Sequence, residues 1–69
     1  MKAKNIKYSV VALMDNQIKA HRFFCSDEAK NKWCNKQYNV FGEEVTVEVY
    51  DFNDHRDPLD QKPIEVWHA

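Results

Sequence analysis

One glycine, two prolines and two cysteines in 69 residues exclude several classes of protein. So little Gly and Pro rules out a collagen-like chain or a Gly/Pro low-complexity segment. Cys25 and Cys34 can close at most one intramolecular disulfide, far below the cysteine density that holds small secreted domains together. They read as reduced thiols, which points to the cytoplasm. No apolar run approaches the roughly 18 residues that a membrane span needs. After Met1 to Lys7, Tyr8, Ser9 and Asp15 interrupt what would have to be the apolar stretch of a signal peptide. A net charge of −1 argues against generic, charge-driven binding to nucleic acid or to an anionic membrane.

Apolar residues make up 43% of the chain and aromatics 13%, too much for a disordered segment. The length fits one small domain, residues 1–69, with a modest core and no room for a large buried active-site cleft. The charge is unevenly spread. Residues 1–36 hold seven Lys and one Arg against three acids, a balance of +5, and residues 37–69 hold Arg56 and Lys62 against eight acids, a balance of −6. Strands that complement one another across a sheet would give this pattern, and so would a dipolar surface that docks a charged partner.

Residues 5–14 are rich in β-branched and aromatic types, and Ile6, Tyr8, Val10 and Ala12 recur with the period of a strand. Asp15-Asn16 suits a two-residue hairpin turn, which predicts a second strand over Gln17 to Cys25 with Ile18, Ala20, Arg22 and Phe24 on one face. Ser26 is a good N-cap, and Asp27 and Glu28 place two acids in the first turn of a helix. That helix is predicted to bury Ala29, Trp33, Cys34 and Tyr38, to send Lys30, Lys32 and Lys36 to solvent, and to stop near Asn39, with Gly42 at its exit. Val45, Val47 and Val49 then alternate through a strong strand pattern, Asn53 to Lys62 reads as a loop, and Pro63 to His68 as a last short strand.

The order predicts an α+β domain of ββαββ type: an antiparallel or mixed four-stranded sheet with one helix packed on one face. Ile6, Tyr8, Val10, Ala12, Ile18, Phe24, Val45, Val47, Val49, Ile64 and Val66 are expected under the helix. Val11, Leu13, Phe23, Tyr50, Phe52 and Trp67 are expected on the other face, among Lys7, Lys19, His21, Thr46, Glu48 and Glu65. No second helix exists to cover that face, and an uncovered aromatic patch of this kind marks a contact site.

Chemistry is harder to find. Cys25 and Cys34 lie nine positions apart with no CxxC, and His21, His55 and His68 form no HxxxH, so no metal or cofactor is expected. Asp51, Asn53, Asp54, Asp57 and Asp60 resemble a calcium loop only in composition, since the turn glycine and terminal glutamate are missing. His55 lies beside Asp54 and Asp57, but no activated nucleophile accompanies it. The chain reads as a protein without enzymatic activity.

Trp33-Cys34-Asn35-Lys36-Gln37-Tyr38, followed by a valine-rich strand ending in Asp51 to Asp54, resembles the Dmd family of phage antitoxins. Ser26-x-x-Ala29-Lys30, leading through a polar helix to Phe41-Gly42 and a strand, is similar to small type I-F anti-CRISPR proteins. The Asn53 to Lys62 loop is longer than the corresponding connection in either family. The resemblance implies a phage-encoded inhibitor in the host cytoplasm that occludes a host defence or toxin enzyme by direct binding. The antitoxin likeness implies Trp33 as anchor; the anti-CRISPR likeness implies contacts through the helix lysines and the sheet edge. The expected partner-binding residues are therefore Trp33, Lys30, Lys36, Tyr50, Phe52 and Trp67. A different reading is a homodimeric nucleic-acid-binding protein that stacks bases on Phe23, Tyr50 and Phe52, with Lys7 and Lys19 on the backbone. A third is a purely structural homo-oligomer.

Overall fold

A computed structural model describes residues 5–53 and 60–68. The strands β1 (Tyr8–Met14) and β2 (Gln17–Phe24) form the expected hairpin, followed by helix α1 (Asp27–Phe41), β3 (Thr46–Asp51) and β4 (Glu65–His68). Both turn residues, Asp15 and Asn16, have positive φ, near 55° and 62°. That conformation matches the right-handed twist of the flanking strands, and Asp and Asn tolerate it better than most residues. All pairings are antiparallel, in the order β2-β1-β3-β4, so the α+β, ββαββ architecture holds with an antiparallel sheet.

The helix starts as its sequence requires. The Ser26 hydroxyl accepts from the Ala29 N–H at 3.3 Å, and Asp27 and Glu28 occupy the first turn. It runs two residues past Asn39, which brings Phe41 half-buried against the core while Val40 stays exposed. Gly42 then closes it with φ +88°, donating to the Tyr38 carbonyl at 3.0 Å. A Cβ at Gly42 would meet nothing within 4 Å, so only the backbone opposes substitution. Gly42→Ala is expected to cost about 1–2 kcal/mol in urea unfolding, with an unchanged native circular dichroism spectrum.

Val10, Ala12, Cys34, Val45, Val47 and Val49 form the fully buried core. Cross-strand register explains why: Val10 pairs with Val49 and Ala12 with Val47, which places all four on the helix side of the two central strands. Tyr8, Ala20, Phe24, Trp33, Tyr38, Phe41 and Trp67 pack around them.

Three expected placements are corrected. In β2 the register slips between Ala12 and Leu13, so Leu13 pairs with Ile18 and Lys19 is the extra residue of a bulge. The bulge moves Ile18 to the face of Leu13, away from the helix, and leaves it 64% exposed. In β4 the alternation has the opposite phase. Trp67 pairs with Val47 and Glu65 with Val49 on the helix side, Val66 pairs with Glu48 on the open side, and Ile64 just before the strand is exposed. This phase buries part of a large indole where the other would bury a smaller valine, and it gives Glu65 a cation. In the helix the buried stripe is Lys30, Cys34 and Gln37, and Ala29 is exposed.

Candidate binding surfaces

The six residues expected to bind a partner fall in three separate places. Lys30 is buried and half-buried Trp67 packs against the core on the helix side, Trp33 and Lys36 share a groove, and Tyr50 and Phe52 lie on the open face of the sheet.

Lys30 is only 2% exposed, a correction of its expected place in solvent. Its ammonium donates to Glu65 Oε2 at 2.6 Å and sits 5.0 Å from the centre of the Tyr8 ring. Glu65 uses its other oxygen, Oε1, to accept from the Trp67 indole N–H at 3.0 Å. The Tyr8 hydroxyl donates to Asp27 in the first turn of the helix. The chain Asp27, Tyr8, Lys30, Glu65, Trp67 thus fastens the helix to the central strand β1 and the edge strand β4. The Lys30 hydrogen bond, opposed by partial desolvation and reinforced by the indole, holds the Glu65 carboxyl below the ordinary glutamate range.

Burial does the reverse to Cys34, pushing its thiol up to about 11 even though Lys30 pulls it down. Cys34 is therefore a buried thiol at neutral pH and a poor nucleophile. Cys25 is partly exposed. With a disulfide-exchange reagent such as DTNB at pH 8, one thiol should react promptly in the native protein; Cys34 should react only at the rate of unfolding. Prompt reaction of both would show that the helix opens locally.

The open face carries the exposed apolar surface. Of the six large apolar side chains that the described residues expose, Ile18, Phe23, Phe52 and Val66 are on this face. Phe23 and Phe52 meet edge to face at 5.4 Å, bridging the hairpin and β3, and His21 packs against Phe23 at 4.6 Å. Half-buried Val11, Leu13 and Tyr50 fill the space between. The polar groups here are neatly paired: Ser9 Oγ lies 2.8 Å from His21 Nε2, and the Tyr50 hydroxyl donates to Glu48 at 2.9 Å. Burial, then that bond and the carboxylate's charge, raise the Tyr50 phenol. Glu48 thus places a carboxylate near the middle of an apolar field, with Glu44 and Asp15 lining the hollow at one end of it. Ile18 and Val66, absent from the expected site, enter through the bulge and the β4 phase.

The third surface lies on the helix side, at the seam between α1 and β2. Phe24, Ala29, Lys32, Trp33 and Lys36 line a shallow groove of about 280 Å³, with the Phe24 and Trp33 rings 5.7 Å apart. The hairpin and helix come from the basic half of the sequence and β3 and β4 from the acidic half, so the charge asymmetry of the chain becomes a spatial one across the sheet.

Among the described residues no group of three His, Cys, Asp or Glu side chains could hold a metal ion, and no helix is long and apolar enough to cross a membrane. Asp54, His55 and Asp57, the acid–base set raised by the sequence, lie outside the described residues. Comparison with family models, with curated proteins and with solved structures finds no match for this chain.

Proposed function

We propose that this chain is a non-enzymatic protein-binding module that acts by occlusion, with the open face of its sheet as the main docking surface. The observation that carries the reading is the concentration of exposed Ile18, Phe23, Phe52 and Val66 on one face that, among the described residues, no helix covers. The complementary surface is apolar with a Lys or Arg opposite Glu48, because a carboxylate desolvated without a cation would oppose binding. In line with its resemblance to phage inhibitors, the partner is a host defence or toxin enzyme met in the cytoplasm. Occlusion asks for no chemistry from the inhibitor, and the ion pair of Lys30 with Glu65 serves the fold of the chain itself.

A second reading has a specific observation in its favour. The Phe23–Phe52 pair, with Lys7 at the same end of the sheet, could stack bases of a single-stranded nucleic acid. Salt separates the two: phosphate contacts weaken steeply with ionic strength, whereas an apolar face responds little.

The test compares tagged wild-type protein with Phe23→Asp and Val66→Asp, each checked for native circular dichroism, in capture from host lysate followed by assay of the captured enzyme. Expected is a stoichiometric enzyme whose activity falls as wild-type protein is added and which neither folded variant captures or inhibits. Capture that is lost on nuclease treatment, or recovery of the protein alone as a dimer that the variants dissolve, overturns the inhibitor reading for the nucleic-acid or self-association reading.

A further inference from the structure

We infer a second binding surface, independent of the open face: the groove at the seam of α1 and β2 is built for an acidic peptide segment with one apolar anchor side chain. The two tryptophans differ in a telling way. The Trp67 indole N–H donates to Glu65, whereas the Trp33 indole N–H has no acceptor among the described residues. Trp33 is half-buried with its ring against Phe24, so it presents an apolar surface and an unused donor together. Indoles of this kind are favoured at binding hot spots because one side chain supplies both contact area and a directed hydrogen bond.

Charge identifies the ligand. Lys32 and Lys36, one helical turn apart, flank Trp33, and neither has a carboxylate within salt-bridge distance among the described residues. Arg22 lies exposed two residues before Phe24 on the same face of β2. Of the two acids of α1, Asp27 is bonded to Tyr8 in the first turn, and Glu28, one turn before Lys32, forms no salt bridge with it, which leaves the Lys32 and Lys36 ammonium groups to the groove. An apolar floor with an unused N–H and a cationic rim is complementary to a carboxylate placed beside an apolar side chain. The volume fits the same occupant. About 280 Å³ falls just short of the roughly 300–1,000 Å³ of small-molecule pockets, and the groove is too open to enclose a free ligand, but it seats one anchor side chain of a chain that continues over the surface. The sheet separates this groove from the open face, so both surfaces can be occupied at once.

The test is a titration of the ¹⁵N-labelled protein with the synthetic peptide Glu-Asp-Phe-Leu-Asp-Glu, following the two indole N–H resonances. Trp33→Phe assigns them and Lys32→Glu/Lys36→Glu removes the rim; these side chains are exposed, and folding is checked from the rest of the spectrum. Expected is a saturable shift of the Trp33 indole with Trp67 unmoved, at least about tenfold weaker binding to the double variant, and loss of the shift with Gln-Asn-Phe-Leu-Asn-Gln. No shift at millimolar peptide, or an equal shift with the amide peptide, overturns the assignment. Tighter binding of a single-stranded oligonucleotide at the same indole overturns it in favour of nucleic acid. Phe23→Asp, which disables the open face, leaves the peptide titration unchanged, so failure of one surface is distinguishable from failure of the other.

Discussion

Glu65→Ala is expected to destabilise the protein by about 2–3 kcal/mol, and Lys30→Met, on the other side of the same ion pair, by less than about 1 kcal/mol. The asymmetry follows from where each charge lies. The Lys30 side chain is 3% exposed and that of Glu65 40%. Removing Glu65 strands an ammonium in the interior against the Tyr8 ring, and it also takes the acceptor from the Trp67 indole. Removing the ammonium but keeping the apolar stem leaves Glu65 able to turn to water while still accepting from the indole. A chain of this size is stable by roughly 3–10 kcal/mol in total, so the first substitution should shift the urea midpoint visibly and the second barely. Equal losses would show that the pair contributes through mutual attraction, not through the cost of an unpaired buried cation.

The same pair sets an acid dependence. Because the native carboxyl of Glu65 is held below its ordinary value of 4.5, the unfolded chain binds the proton more readily. Its contribution is full above that value and is lost as pH falls through the lowered native one. Stability measured from pH 6 downward should therefore decline in the wild type, with a shallower decline in Glu65→Gln.

Trp67→Ala should cost about 3–4 kcal/mol and Trp33→Ala about 1–2 kcal/mol. Trp67 packs against the core beside Val47 with its N–H satisfied, so its loss opens a cavity and loosens β4. Trp33 loses its contact with Phe24 at the rim of the fold, and the surrounding side chains can close over the gap. Urea denaturation monitored by far-ultraviolet circular dichroism measures both. The comparison also decides how binding data are read, because loss of binding in Trp67→Ala reports on folding unless its native signal is shown to persist. A smaller cost for Trp67 than for Trp33 would reverse the structural roles given to the two indoles.

The local signals in this sequence specify the structure where a few adjacent residues decide the outcome. Asp15-Asn16 in the turn, Ser26 at the cap, Gly42 at the exit and the Val45, Val47, Val49 alternation each act through neighbours in the chain, and together they yield the ββαββ order. Sequence and structure part where distant residues decide. Glu65-Val66-Trp67-His68 offers one large apolar side chain in either phase, and the choice rests on Lys30, 35 positions away. Lys30 in turn looks like a solvent residue in a lysine-rich helix until a carboxylate and an aromatic ring are folded beneath it. The bulge at Lys19 has no glycine to announce it, and one extra residue sends Ile18 to the opposite face. Tyr50 and Phe52 were legible as open-face residues because β3 is regular; Trp67 was not, because β4 is short.

That bulge also bears on how the molecule keeps to itself. β2 and β4 are the free margins of an open sheet, and such margins recruit strands from neighbouring molecules into fibrils. β4 offers four residues, too few for a firm template, and β2, twice as long, is interrupted at Lys19, where an incoming strand would lose register and meet a charge. The chain thus combines an exposed apolar face with margins that discourage lateral growth into open-ended polymers.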